Sequence, residues 1–185
     1  MQHFPVIPYP KHYVSPWTAR DGTQVTVRPI RPDDEPLMVT FHGTLSDRTV
    51  YLRYFCSLNL AKRTAHERLA QICTCNYLSE MVLVAESKDL TTGKRSILAV
   101  GRLNKLNSNR EAEVALLVAD PYQRLGLGTE LLRRLLDIAR AEGIHRLVAE
   151  MFRDNVAVQA IFKKCGFRLC LIDHDLNEVR AVLDL

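Results

Sequence analysis

Residues 118–129 read Val-Ala-Asp-Pro-Tyr-Gln-Arg-Leu-Gly-Leu-Gly-Thr, and this stretch decides the fold. Residues 111–118 alternate towards an apolar run and predict a strand. After the stretch, leucines and other apolar residues recur at helical spacing as far as Glu142, which predicts a long amphipathic helix. The turn between the two elements contains Gly126 and Gly128, with Arg124 beside them.

A turn of this kind is suited to phosphate. Glycine lets the backbone come close to a ligand. The start of the following helix adds unpaired N–H groups and a partial positive charge, and the combination binds phosphate. The simpler alternative is a glycine turn that only caps an ordinary helix.

Spacing excludes two common phosphate loops. A dinucleotide fingerprint needs a third glycine at the position of Leu131, and a Walker loop needs a lysine where Thr129 follows Gly128. What remains is Gln123-Arg124-x-Gly126-x-Gly128. This pattern resembles the Q/R-x-x-G-x-G/A pyrophosphate loop of the GNAT family of acyl-CoA-dependent N-acyltransferases.

Length and composition predict one soluble globular domain. The chain has 185 residues, of which 47% are apolar and 25% are charged. A net charge of +4 without a dense Lys/Arg tract gives no reason to expect a nucleic-acid partner. No apolar segment is long enough to span a bilayer, and prolines interrupt the amino-terminal residues where a signal peptide would lie. We therefore expect a cytoplasmic protein with no membrane partner.

The cysteines predict no disulfide framework and no metal site. Their number is odd, and the only close pair, Cys73 and Cys75, lacks a second pair or a histidine cluster at metal-ligand spacing. We expect free, mostly buried thiols in a reducing cytosol at Cys56, Cys73, Cys75, Cys165 and Cys170.

The predicted order of elements is a strand, two or three helices, three strands, a helix, a strand, a helix and two strands. Residues 1–20 contain four prolines and are predicted to form an arm or linker that does not pack, followed by a domain at residues 21–185. One helix is predicted over residues 62–72 and a turn at residues 107–109. The predicted strands span residues 24–30, 81–85, 96–103, 111–118, 145–151, 167–172 and 179–183.

This order resembles that of GNAT domains, and the resemblance covers residues 25–185. It implies an α/β (α+β) GNAT fold: a mixed, mostly antiparallel sheet of about six to seven strands, flanked by helices, with a splayed strand pair forming the acyl-CoA site. The blocks at residues 28–35, 51–55 and 112–115 are similar to those of bacterial Pat-type protein lysine acetyltransferases. In many of those relatives the domain follows an acyl-CoA-synthetase-like region.

The resemblance also implies which residues bind the acetyl-CoA cosubstrate. Backbone N–H groups of the loop and the Arg124 guanidinium would hold the phosphates, and Leu116 and Val118 would bond the pantetheine amides. A nearby N–H would polarise the thioester carbonyl. The full implied set is Leu116, Leu117, Val118, Gln123, Arg124, Leu125, Gly126, Leu127, Gly128, Thr129 and Asn155.

Glu113 is the candidate catalytic base. A lysine acceptor has a pKa near 10.4 and must lose a proton before it attacks. Glu113 matches the base of Pat-type relatives, and we expect burial beside Ala115 to strengthen it. Glu111, on the same face of the strand, is the reserve base. On alternation alone, Glu113 would instead be a solvated residue on the outward face.

Two further positions concern the acceptor amine and the leaving thiolate. Many GNAT enzymes carry a tyrosine in the last helix to protonate the thiolate, but this sequence has Phe162, which leaves water or an unprotonated leaving group. Cys165 lies nearby and is expected to pack. Arg53 and Tyr54 lie in the segment that usually lines the acceptor side, and Arg53 is a candidate for positioning an acidic part of the acceptor.

Three functions follow from these residues. The first is acetyl transfer from acetyl-CoA to a lysine side chain of another protein. The second keeps the chemistry but uses a small amine or a peptide amino terminus. The third is an acyl-CoA-sensing module that regulates a partner without catalysis. The oligomeric state stays open.

Overall fold

The computed structural model describes residues 8–106, 110–172 and 175–185. Within these residues one sheet is flanked by α-helices on both faces. The strands are β1 Ser15–Thr18, β2 Gln24–Pro29, β3 Glu80–Lys88, β4 Arg95–Lys105, β5 Glu111–Val118, β6 Arg146–Phe152, β7 Arg168–Ile172 and β8 Asp175–Asp184. The α-helices are α1 Glu35–Gly43, α2 Asp47–Tyr54, α3 Leu60–Arg63, α4 His66–Cys73, α5 Leu127–Ala141 and α6 Val156–Lys164.

The sheet has the order β1-β2-β3-β4-β5-β6-β8-β7, and every neighbouring pair is antiparallel except β5 and β6. The expected mixed, mostly antiparallel sheet is confirmed. Among the described residues it contains eight strands, one more than the upper prediction.

The extra strand is β1, so the prediction that residues 1–20 do not pack is wrong for residues 15–18. Ser15 pairs with Val27, Thr18 pairs with Gln24, and Trp17 packs against the core. The prediction took the prolines as evidence against a strand, because proline has no N–H to donate to a neighbouring strand. An edge strand such as β1 tolerates proline. Residues 1–7 and the turn expected at residues 107–109 lie outside the described residues.

The helix predicted over residues 62–72 is two helices. The Asn59 side chain accepts the Lys62 N–H at 2.9 Å and starts α3 early, as an N-cap does. Ala65 then takes an extended conformation with ψ 133°, and α4 begins at His66.

Two hydrophobic layers hold the sheet between them. One layer lies under α5 and α6, where Leu131, Leu132 and Leu135 are fully buried, each burial contributing roughly 2–3 kcal/mol. The other lies under α1, α2 and α4 and includes Phe41 and Leu69. Because both faces are covered, the central strands are buried on both sides.

A buried ion-pair network fixes α1 against the sheet. Arg28 donates through both terminal nitrogens to Asp34, at 2.7 Å each, and Asp34 also accepts the Arg31 N–H at 2.8 Å. Arg28 continues to Glu86, which Arg95 also contacts. The 28–35 block of the Pat resemblance therefore has a structural role in this chain.

The cysteines are free, as expected, but not mostly hidden. Cys73 is buried and Cys75 and Cys165 are half-buried, whereas Cys56 and Cys170 are exposed. Burial raises the pKa of Cys73 to about 11 and that of Cys75 to about 12, so both remain thiols at neutral pH. No helix among the described residues has the length and apolarity needed to cross a membrane. The described residues also contain no group of three or more His, Cys, Asp or Glu side chains that could hold a metal ion.

Candidate functional site

The site begins where β5 parts from β6. The two strands pair in parallel only at residues 111–113 of β5 and 146–148 of β6. Beyond Glu113, β5 continues to pair with β4 as far as Val118. One edge of β5 is therefore open over residues 114–118, which is the splayed strand pair expected from the sequence.

The hydrogen-bond alternation along β5 shows which backbone groups face the gap. The Leu106 N–H donates to the Glu111 carbonyl at 2.8 Å, and the Ala119 N–H donates to the Leu98 carbonyl at 2.9 Å. Residues between these two ends alternate between the β4 side and the opposite side, as in any antiparallel ladder. The N–H and C=O groups of Val114, Leu116 and Val118 thus point into the gap. Leu117 bonds towards β4 and offers the gap no backbone group.

The glycine turn that follows β5 contains two residues with positive φ. The chain makes a 3-10 turn at Asp120–Tyr122, Arg124 adopts a φ of 65°, and Gly126 has a φ of 94° immediately before α5. A side chain at position 126 would also meet Trp17, because an ideal Cβ there lies 3.2 Å from the indole ring. Only glycine satisfies both constraints without cost.

Gly128 is needed for a different reason. It lies in the first turn of α5, and an ideal Cβ at this position would be 2.9 Å from the Ile161 side chain of α6. The Glu130 N–H donates to the Gly126 carbonyl at 3.0 Å and makes the first bond of the helix. The N–H groups of Leu127, Gly128 and Thr129 precede that bond and have no acceptor within the helix. A cradle of unpaired donors at a helix start fits a diphosphate.

A cleft of about 680 Å³ runs from this cradle along the open edge of β5. Every residue of the expected donor set lines it except Leu125, whose carbonyl accepts the Arg20 N–H at 3.1 Å. Leu125 therefore supports the turn and does not face the cleft.

Two arginines that the sequence analysis did not identify, Arg20 and Arg48, also line the cleft. Arg20 follows β1 and donates to the Arg124 carbonyl at 3.4 Å, which places a second exposed guanidinium beside the loop. Arg48 lies in the first turn of α2. No local pattern marks either residue, because the sheet pairing of β1 and the position of α2 bring them to the site.

Asp120 joins the loop to the start of α2. Its carboxylate accepts from the Ser46 hydroxyl at 2.7 Å, the Ser46 N–H at 3.0 Å and the Thr49 hydroxyl at 3.0 Å. Burial alone would raise the pKa of Asp120, but these hydrogen bonds outweigh it and lower the pKa. The charged carboxylate consequently locks the loop to α2 at neutral pH.

Contacts between α2 and the end of β6 bridge the wide end of the gap. Tyr51 stacks on Phe152 with ring centroids 5.0 Å apart, and Phe55 lies 4.8 Å from the same ring. Arg48 reaches Asp154 at 3.5 Å, with both side chains exposed. Helix α2 therefore spans the opening between β5 and β6.

The candidate base lies at the point where the strands part. Glu113 is the last β5 residue paired with β6, and it lines the cleft. Its side chain is exposed, so the burial beside Ala115 that we expected is wrong. Glu111 is half-buried and does not line this cleft, which makes it a poorer reserve than the sequence indicated.

The residues of α6 have mainly structural partners. Asn155 caps the helix, since its side-chain oxygen accepts the Val158 N–H at 3.4 Å, and its NH₂ group is the part that could contact a ligand. Phe162 is buried edge-to-face against Phe167 at 4.8 Å. Burial raises the pKa of the Cys165 thiol, in keeping with the packing role expected for it.

Comparison with known proteins supports this geometry. A family model described as an acetyltransferase (GNAT) domain matches residues 24–168. Acetyltransferase PA5475 of Pseudomonas aeruginosa is 29% identical over 147 residues, or 80% of this chain and 76% of that protein. The GNAT domain of S. lividans PAT superposes with a TM-score of 0.83 at 27% identity, over 96% of this chain and 100% of that domain.

A third relative is much longer than this chain. Acetyltransferase Pat of Mycolicibacterium smegmatis is 28% identical over 172 residues, which cover 92% of this chain but only 48% of that protein. The chain thus spans about half the length of that relative. With the family model, the fold and the donor cleft in agreement, the chain belongs to the GNAT acetyltransferase family and is an acyl-CoA-dependent N-acyltransferase that uses acetyl-CoA.

Proposed function

We propose that the enzyme transfers the acetyl group of acetyl-CoA to a lysine side chain of another protein, in the cytoplasm. The observation that carries the proposal is the open edge of β5, which leads from the cradle at the start of α5 to the exposed carboxylate of Glu113. The likeness to the GNAT domain of S. lividans PAT favours a protein acceptor.

The donor is bound by groups of three kinds. The unpaired N–H groups of Leu127, Gly128 and Thr129 hold the diphosphate, and the guanidinium of Arg124 adds charge-assisted contacts. The open backbone groups of Leu116 and the N–H of Val118 bond the pantetheine amides, while the Val118 carbonyl already accepts from the Gln123 side chain at 3.4 Å. An N–H of the same edge polarises the thioester carbonyl in the manner of an oxyanion hole. Leu117 and Asn155 complete the walls of this path.

Proton removal falls to Glu113. The acceptor ammonium must lose a proton because only the neutral amine attacks. An exposed carboxylate at the point where the strands part can take that proton through one water molecule. The amine nitrogen then bonds to the carbonyl carbon and gives its second proton to water while the C–S bond breaks. The CoA thiolate takes its proton from water, since the buried Phe162 has none to give.

A labelling experiment tests the proposal. The purified protein is incubated with radiolabelled acetyl-CoA and a lysate, with Glu113→Gln as the matched inactive control. Label in protein bands at lysine supports the proposal. Label only in small molecules would assign a small-amine acceptor, and tight acetyl-CoA binding without transfer would indicate a sensing module.

A further inference from the structure

A second cavity, of about 350 Å³, lies on the α1, α2 and α4 side of the sheet. It shares Arg53, Ala115 and Leu117 with the donor cleft, so the two cavities have a common wall at β5 and α2. The mechanism above does not use this cavity. We call it the arginine cavity, since Arg53, Arg68 and Arg102 line it.

The positive charge of the arginine cavity exceeds what the described chain neutralises. Arg102 is paired, because its Nε donates to Glu80 at 2.9 Å. Arg53 and Arg68 form no ion pair within the described residues. No carboxylate from the described part of the chain lines the cavity. Two guanidinium groups are therefore available to an anion that comes from outside the chain.

The two unpaired arginines are held in place by one aromatic ring. The Arg68 guanidinium carbon lies 4.7 Å from the centroid of Tyr54, and that of Arg53 lies 5.1 Å from the same centroid. Both distances are within the range of cation–π contacts. The Nε of Arg68 is buried without a hydrogen-bond partner among the described residues. These side chains are thus preorganised, and at least one of their donors is unsatisfied.

Burial increases the benefit of an anionic ligand here. Arg53 is half-buried, and its pKa is lowered chiefly by burial. The charges of Tyr54 and Glu113 oppose this lowering, and those of Arg102 and Arg68 add to it. A carboxylate placed between the guanidinium groups would relieve this repulsion and satisfy the open donors. Arginine is well suited to such a role because its planar fork binds carboxylates bidentately.

We propose that the arginine cavity binds a carboxylate of the acceptor, supplied by an acidic side chain close to the lysine that is acetylated. The inference rests on the proposed function, because it assigns the cavity to the protein substrate. The shared wall with the donor cleft places this subsite next to the reacting amine and away from the phosphates of acetyl-CoA.

The test compares peptides that differ in one group. A set of lysine peptides carries a single Glu at each position near the lysine, and each is matched by the same peptide with Gln. At least one Glu peptide should have a kcat/KM about tenfold higher than its Gln partner, mainly through KM, as expected for hydrogen bonds to a charged group. A second arm of the test compares free lysine with lysine amide. Free lysine carries a carboxylate on a small molecule, and lysine amide is the same amine without it.

Variants of the cavity link the preference to its arginines. Arg68→Met should abolish the Glu-over-Gln ratio and leave the Kd for acetyl-CoA unchanged, whereas Arg68→Lys should restore part of the ratio. Arg168→Met, on the distant edge strand β7, removes the same charge and should leave the ratio intact.

The outcomes separate the inference from the proposed function. Equal kcat/KM for every Glu/Gln pair and for both small amines would overturn the inference, as would a preference that survives Arg68→Met. A carboxylate preference that depends on Arg68 but occurs only with free lysine would keep the subsite and overturn the protein acceptor. Should Arg68→Met fail to fold, the Glu-over-Gln ratio of the unmodified protein decides.

Discussion

The donor cleft and the arginine cavity lie on the two sides of one strand, but they are built differently. The donor side is almost continuous in sequence, since β5, the glycine turn and the first turn of α5 follow one another within residues 113–129. The arginine cavity, by contrast, takes one arginine each from α2, α4 and β4. The proposed donor contacts are made by backbone groups, and the proposed acceptor contacts are made by side chains. A constant cosubstrate can be held by backbone geometry, whereas recognition of an acceptor requires groups that vary with residue identity.

The largest effect is expected on kcat, from replacing Glu113, which lines the donor cleft near its shared wall with the arginine cavity. Glu113→Gln should lower kcat by about 100-fold or more, the range of general-base contributions, and leave the Kd for acetyl-CoA unchanged. Steady-state kinetics with saturating acetyl-CoA and a lysine peptide measures the first quantity, and calorimetry measures the second. Glu111→Gln is the control, with a small effect expected. Unchanged turnover in Glu113→Gln would remove this residue from the mechanism.

The second prediction concerns how the stability of the protein depends on pH, through a histidine on the α1 side of the sheet. His42 lies in α1, fully buried, with both ring nitrogens unpartnered among the described residues. Burial, followed by the charges of Arg68 and Arg63, lowers the pKa of His42 to about 4. An unfolded histidine has a pKa of about 6.5, so the unfolded chain binds more protons between these values. Stability should fall as the pH drops through that window, by about 2 kcal/mol at pH 5.

Replacing His42 tests that acidic loss. His42→Leu should remove about 2 kcal/mol of the decrease in unfolding free energy between pH 7.5 and pH 5, measured by urea denaturation. His145→Gln changes an exposed histidine just before β6 and should retain the wild-type decrease. An identical pH dependence in wild type and His42→Leu would show that the buried imidazole does not control the loss of unfolding free energy in acid.

The smallest effect is expected on the donor side. Gly126→Ala forces a side chain into a positive φ and against Trp17, which should cost roughly 1–2 kcal/mol of stability. The Kd for acetyl-CoA should rise about tenfold, because the loop donors shift.

Gly143→Ala is the matched control for that loop. Gly143 follows the other end of α5 with a φ of 71° and open space around it. Its replacement introduces similar backbone strain and should leave acetyl-CoA affinity unchanged. Equal losses of affinity in both variants would mean that general destabilisation, and not the cradle, weakens binding.

The contrast also explains what the sequence could predict. Residues 111–118 and the long helix after Gly128 were predicted almost to their ends, because hydrophobic period and glycine spacing are local signals. The donor set came from the family resemblance, and Leu125 is its one member that does not line the cleft.

The remaining features depend on tertiary pairing. Trp17 was missed because a proline-rich segment becomes a strand only when the edge of β2 is available to it. The burial expected for Glu113 failed because the parting of β5 from β6 exposes that position. Arg68 and Arg102 lie on separate elements and are brought together by the packing of α4 against the sheet, so no spacing in the sequence predicts their cavity.

The wall shared by the two cavities has a consequence for inhibitor design. A single molecule that joins a CoA-like half to a lysine-peptide half would have to connect them through the space beside Arg53 and Ala115. The length of that connector would report how far apart the two halves sit when both are bound. The best-fitting linker in a graded series would therefore act as a ruler for the ternary complex.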